Sequence, residues 1–346
     1  MVHFCVLSLI QSYLIDYLCN SAVIRAWSLE YHGNAHKILL QAIDQLHGLA
    51  IELNYAKLIP IVQSSGMGKS KTADQVATER ILFPICLREN IGKNYFGAYH
   101  GFSIVGGGSI TFAPAYPPTD QVVRDHLMLA PATTKEVGTK QYLRSFLSSL
   151  FETARLQVVR LFPNNKLYDY AYMVKAFYDL FADPSQRNCF YESVISNAKK
   201  GPYINVWTSF DNFKSSLMRH CLKWPAPTIC PLLISVDEVH VLYTHRKMDF
   251  GSDYTLYSCF KSVLNEGVNH DFAVISLSTA SHVPSLAPTK AFMPSLRERG
   301  KERILPAPFT ELPFDVYIIA KPLVADVETL TSVGTLEFTA RFGRPM

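Results

Sequence analysis

Residues 57–70 read Lys57-Leu58-Ile59-Pro60-Ile61-Val62-Gln63-Ser64-Ser65-Gly66-Met67-Gly68-Lys69-Ser70, a short apolar run followed by a small, glycine-containing polar loop. The run at 57–62 is long enough for one buried strand, and residues 69–80 (KSKTADQVATER) read as the helix that follows the loop. Strand, loop and helix in this order fit the end of the phosphate-loop pattern Gly-x4-Gly-Lys-[Ser/Thr], with Gly68-Lys69-Ser70 in its last three places. Glycines let the backbone turn so that successive N–H groups face phosphate oxygens, assisted by the helix N-terminus. The residues expected around a nucleotide are therefore Ser64, Ser65, Gly66, Met67, Gly68, Lys69, Ser70 and Lys71. Lys69 is expected to neutralise the β- and γ-phosphates, and the Ser70 hydroxyl to bind Mg²⁺. Gln63 departs from the pattern, standing where its first glycine belongs. If that position needs a left-handed backbone, the substitution costs roughly 1–2 kcal/mol.

A second motif lies far downstream. Residues 231–236 (PLLISV) form the most strand-like run in the chain, and Asp237-Glu238 ends it. An Asp at a strand end can hold the Mg²⁺ that bridges the β- and γ-phosphates, and a Glu beside it can orient or deprotonate an attacking water. Acids also terminate strands and cap helices with no chemical role. With a Gly-Lys-Ser loop on its own strand upstream, the pair favours nucleotide binding. A third run at 273–277 (AVISL) leads into Ser278, Thr279, Ser281 and His282, where a polar side chain could sense the γ-phosphate or merely cap the loop.

Working outward, residues 35–54 place Ile38, Leu39, Ala42, Ile43, Leu46, Leu49 and Leu53 near helical spacing. Residues 81–87 (ILFPICL) make a second strand, which Pro84 assigns to a sheet edge or a bend. Residues 92–118, with Gly106-Gly107-Gly108 and Pro114, Pro117 and Pro118, read as an irregular loop or insertion. Residues 119–224 carry helical patterns at 138–160, 166–182 and 205–222, and another helix is expected at 254–266. Strands separated by helices predict a parallel, doubly wound α/β sheet with helices on both faces, a three-layer α/β/α arrangement. The expected organisation is a helical extension over 1–54 and a nucleotide domain over 55–346 with a helix-rich insertion at 119–224.

Composition narrows the classes. The chain has 346 residues, 48% hydrophobic and 18% charged, enough for a sizeable core. Thirty-three basic against 29 acidic side chains give +4, which offers nucleic-acid binding no support beyond a local patch at 297–303. The seven cysteines contain no Cys-x-x-Cys pair, as expected of reduced, buried thiols without a metal. The apolar stretch at 4–15 lacks a basic leader and a cleavage site and is too short to span a bilayer, so no membrane is expected, and an intracellular setting, cytoplasmic or nuclear, is.

The motifs resemble the AAA+ and STAND divisions of P-loop ATPases. More closely, QSSGMGKS (63–70), PICLRE (84–89), PPTDQVVRDHL (117–127), ISVDEVHVLY (234–243) and GRP (343–345) are similar to a group of fungal P-loop proteins, some linked to Crinkler-type effector ATPases. The resemblance spans roughly 57–91 and 115–346. It implies a P-loop NTPase fold, with Lys69 and Ser70 as nucleotide and Mg²⁺ ligands, Asp237 as a Mg²⁺ ligand, Glu238 as catalytic base and Ser278 or Thr279 as first sensor. Gly343-Arg344-Pro345 looks like the turn that begins a helical lid in such ATPases; the chain stops at Met346, so the lid is expected to be missing. Arg297, Arg299 and Arg303 lie where arginine fingers occur in these families, although Glu298 and Glu302 alternate with them as in a solvated turn.

The leading expectation is an ATPase with ATP and Mg²⁺ as ligands, used as a conformational switch, with a second copy or another protein as partner. The alternative is a non-hydrolysing nucleotide-binding scaffold. A nucleic-acid motor and a small-molecule kinase rank lower, because net charge is small and an Asp-Glu pair suits water activation.

Overall fold

The alternating faces of the apolar strands decide the layering. Ile81, Phe83 and Ile85 enter one buried cluster with Leu232, Ile234, Val236, Phe272 and Val274. Leu82, Leu233, Ala273, Ile275 and Leu277 enter a second cluster from the other side. A side-chain period of two thus makes a sheet that is buried on both faces, as parallel sheets are. The computed structural model describes residues 31, 33–49, 56–63, 68–88, 118–129, 136–163, 166–201, 205–243, 245–247, 253–279, 306–310 and 312. The expectations at 1–30, 64–67, 92–117, 281–282, 297–303 and 343–345 lie outside the described residues.

The main sheet has four parallel strands: β1 (Leu58–Val62), β2 (Ile81–Cys86), β3 (Leu232–Asp237) and β6 (Phe272–Ser278). Their spatial order is β1-β6-β3-β2. Pro84 sits on β2 at the sheet edge, as its missing N–H requires. Phe309 extends the opposite edge by a parallel bridge to Ile61. A small antiparallel ribbon, β4 (His245–Lys247) with β5 (Asp253–Thr255), stands apart.

Helices α1 (Ala35–Gly48) and α2 (Lys69–Val76) pack on one face of the sheet. On the other face lie α3 (Gln121–Met128), α4 (Glu136–Leu161), α5 (Tyr170–Ala182), α6 (Pro184–Lys199), α7 (Val206–His220) and α8 (Leu256–Glu266). The protein is therefore α/β with a parallel sheet, compatible with three layers. The helices between β2 and β3 share one core with the sheet. Phe83 of β2 meets Phe177, Phe181, Phe190 and Phe213 at centroid distances of 5.7–6.3 Å. Among the described residues no helix is long and apolar enough to cross a membrane.

Element ends differ from the sequence reading where chemistry is local. α1 stops at Gly48 because Leu49 turns extended, and the buried face is Leu39, Leu40, Ile43 and Leu46, with Ile38 and Leu49 exposed. α2 gives way to turns after Val76. The helix α6 was missed: Asp183 caps it through Ser185 N and Gln186 N with Pro184 in its first turn, a start signal that the sequence does carry.

Close packing at the base of the sheet makes one glycine indispensable. A Cβ on Gly267 would lie 2.1 Å from Cη2 of Trp207, whose ring stacks on His270 at 5.1 Å. Gly267→Ala is expected to destabilise by about 1–3 kcal/mol. Gly48→Ala meets nothing within 4 Å and should stabilise by up to about 1 kcal/mol. Urea denaturation of the two variants checks the contrast, and equal midpoints would contradict it.

A buried imidazole adds an acid sensitivity. Tyr142 donates to the His126 carbonyl at 2.7 Å and lies 2.9 Å from His126 Nδ1, so the ring nitrogen donates to the phenol oxygen. Nε2 is then buried without a partner, and burial pushes the His126 pKa down to about 4. The unfolded chain binds this proton near pH 6.5 and the folded one only near 4, so stability falls as pH drops between those values. The expected loss is on the order of 2–3 kcal/mol, and His126→Gln should flatten it in denaturation curves at pH 7 and pH 4.5.

Candidate functional site

All four strands run the same way, so their C-terminal ends share one edge, the place where open α/β sheets bind ligands. β6 lies between β1 and β3, which sets the end of the 273–277 run between the phosphate-type loop and the two acids.

The loop returns to the sheet on both sides. Gln63 N donates to Ser278 O at 3.3 Å, holding the loop's entry to the tip of β6. Gly68 takes the left-handed backbone at its exit, with φ 77°, and is followed directly by α2. Glu238 is the one non-glycine residue with positive φ among the described residues, so Gln63 carries none of the strain expected of it. Lys69 is buried at 5% exposure and donates to the Gln63 carbonyl at 2.7 Å, its chain folded back toward the end of β1. Burial lowers its pKa, against the pull of Asp237 and Glu238.

Ser70, one residue into α2, donates to Asp237 Oδ2 at 2.6 Å across 167 residues of sequence. The other Asp237 oxygen accepts from Glu238 N at 2.9 Å. Burial raises the Asp237 carboxyl above its usual range, with the Ser70 hydroxyl opposing. Glu238 stands just past β3 with φ 57°, a left-handed geometry that turns its side chain back over the sheet end and costs on the order of 1 kcal/mol. Its Oε2 accepts from Thr279 Oγ1 at 3.0 Å and lies 3.1 Å from His240 Nδ1, while Arg88 Nη2 is 3.8 Å from Oε1. Burial raises the Glu238 pKa, but His240, Thr279 and Arg88 outweigh it and hold the carboxyl below its ordinary value. Glu238 is therefore an ionised acceptor at neutral pH.

Of the residues expected from sequence, Lys69, Ser70, Asp237, Glu238 and Thr279 converge at this edge. Ser278 is fully buried in β6 and offers its carbonyl to Gln63. Lys71 runs along α2 toward Asp74, at 3.7 Å. Ser64, Ser65, Gly66 and Met67 lie outside the described residues. Two further residues, to which the sequence reading assigned no role, take part. Arg88, two residues past β2, sits 4.0 Å from Asp237 Oδ2 as well as beside Glu238. His240 reaches Glu238 from the turn that follows β3. Only the strand order, which no local pattern encodes, brings the end of β2 next to the end of β3.

The donor set suits a hard divalent cation held partly by its ligand's phosphates. Two adjacent oxygens around Mg²⁺ at about 2.1 Å lie about 3 Å apart, and such ions take one or two protein ligands plus phosphates. Ser70 Oγ and Asp237 Oδ2, at 2.6 Å, need to part only slightly. No cluster of three or more His, Cys, Asp or Glu side chains suited to an all-protein metal site exists among the described residues. Comparison with protein-family models, curated proteins and solved structures finds no match for this chain.

Proposed function

We propose that the chain binds a nucleoside triphosphate, ATP first among them, together with Mg²⁺ at the C-terminal ends of β1, β6 and β3, and hydrolyses it as a conformational switch. The AAA+ and STAND resemblance, with a P-loop fold, belongs to the same proposal. The observation that carries it is the 2.6 Å contact between Ser70 and Asp237, which joins two motifs selected independently for the two sides of one Mg²⁺.

The roles follow from the contacts. Lys69 exchanges the Gln63 carbonyl for β- and γ-phosphate oxygens, trading a neutral acceptor for charged ones. Ser70 and Asp237 would hold Mg²⁺, which would supply charge neutralisation. Glu238 accepts a hydrogen of the attacking water, and Thr279 holds the carboxylate in place for it. Arg88 neutralises the acidic pair before the nucleotide arrives.

Phosphate release tests the turnover claim. Glu238→Gln keeps the shape but removes the charge, and should lower kcat by about 10²–10⁴-fold with KM little changed. Turnover at the wild-type rate in this variant would remove Glu238 from the chemistry. A second reading, a nucleotide-binding module without hydrolysis, draws on Arg88, whose guanidinium lies where the acids would face a metal. It predicts tight binding with no phosphate release even from the wild type.

A further inference from the structure

Beside the phosphate-type loop, a cleft opens between α2, the edge strand β2 with its neighbour β3, and the corner where α5 meets α6. Its cavity volume is about 80 Å³, and it opens to solvent at its mouth. Leu82, Pro84, Ser235 and Asp237 form its floor; they point to the sheet face that α1 and α2 cover farther along. Ala73 and Ala77 of α2 make one wall, Tyr178 and Phe181 of α5 the other. The two alanines keep that wall shallow, whereas a Leu or Phe at either place would fill the space.

The polar groups in this apolar slot have a definite sense. Ser235 is 4% exposed, lines the cleft, and its hydroxyl has no partner among the described residues. A hydroxyl facing the cleft can donate to or accept from a molecule there. Asp74 and Asp237 also line the cleft. The one guanidinium in its wall, Arg187, is held bidentately by Asp120 at 2.8 and 2.6 Å, so its charge is already matched. Lys71 reaches Asp74 only at 3.7 Å. Burial raises the Asp74 carboxyl above its usual range, with Lys71 opposing. An anion in this cleft would meet two carboxylates.

We propose that this cleft binds a small, largely apolar molecule carrying a hydrogen-bond donor, an amine or a hydroxyl, which meets Ser235 and the carboxylates while its hydrocarbon part fills the space between α2 and α5. The inference goes beyond the nucleotide reading; the cleft shares Ser70 and Asp237 with the proposed metal site, so it is tested with neither nucleotide nor Mg²⁺ present.

Saturation-transfer NMR on the full chain, without nucleotide or Mg²⁺, tests it with benzylamine, benzyl alcohol and benzoate, one ring with three different charges. Transfer to benzylamine and benzyl alcohol but not to benzoate is expected. Ala77→Leu, which fills the slot, should abolish both signals. Ser235→Ala should weaken benzyl alcohol about fivefold, the worth of one neutral hydrogen bond. Asp74→Asn should bring benzylamine down to the level of benzyl alcohol. Melting curves establish which variants fold, and if Ala77→Leu does not, the other two decide. Equal transfer to benzoate, transfer to none of the three, or signals unaltered in the folded variants would overturn the proposal. A chain that binds no ATP but shows this pattern would keep the cleft assignment and lose only the phosphate-site reading.

Discussion

Replacing Lys69 by alanine is expected to remove the proposed Mg²⁺-dependent ATP binding and to leave the fold in place. Lys69 is buried to 5% exposure and donates to the Gln63 carbonyl at 2.7 Å, and its ammonium is under pressure from burial. Truncating it relieves that pressure, and the hydrophobic clusters on either side of the sheet do not include it. The bound state loses far more. Charge-assisted bonds from a buried ammonium to two phosphates are worth about 1.5–3 kcal/mol each, so affinity should fall by at least about 100-fold. Circular dichroism and urea midpoints near wild type, with a fluorescent ATP analogue no longer retained, are the expected pair of results. Retention of the analogue at wild-type affinity would place the nucleotide elsewhere.

Arg187→Met is expected to cause the largest loss of stability, about 3–5 kcal/mol. Arg187 and Asp120 are both buried; one bond from each ties it to the edge strand β2, and Tyr191 adds a third. Arg187 Nη2 donates to the Pro84 carbonyl at 3.0 Å, Tyr191 donates to the same carbonyl at 2.5 Å, and Asp120 Oδ2 accepts from Cys86 N at 2.7 Å. These groups do for an edge strand what a neighbouring strand would, since unpaired edge amides and carbonyls would otherwise be buried bare. Removing the guanidinium strands a buried carboxylate; removing that charge as well, with Asp120→Asn, keeps an acceptor for Cys86 N. The double variant should therefore recover more than half of the loss in urea denaturation. No recovery would mean that the pair contributes through packing. Because Asp120 holds the end of β2 just before Arg88, the single variant should also loosen Arg88 from Asp237 and Glu238.

The parts of the fold legible in the sequence are those with strong local periodicity or punctuation. The apolar runs at 57–62, 81–87, 231–236 and 273–277 all became parallel strands, and Pro84 announced the sheet edge because a residue without an N–H cannot serve in the middle. Helix ends were less legible: α1 and α2 both stop before their polar-apolar patterns do, since the chain turns where packing ends. At the site, Lys69, Ser70, Asp237 and Glu238 were visible as residue types at known spacings. Arg88 was not, because its role depends on β2 lying beside β3, a neighbour relation set by the core. The strain expected at Gln63 falls instead on Glu238, where the chain must turn sharply to bring a carboxylate back over the strand ends.

The most direct test of the Mg²⁺–nucleotide site is the titration of purified protein with a fluorescent ATP analogue, with and without Mg²⁺, in the wild type and in Asp237→Asn. Asp237 is 5% exposed and meets Ser70 at 2.6 Å, so the variant keeps the shape of that contact while removing the charge a cation needs. The expected result is wild-type affinity that rises at least tenfold with Mg²⁺ and an Asp237→Asn affinity that Mg²⁺ does not change. Absence of wild-type binding, or equal Mg²⁺ dependence in both proteins, would contradict the assignment of Ser70 and Asp237 to the metal and of this edge to the nucleotide.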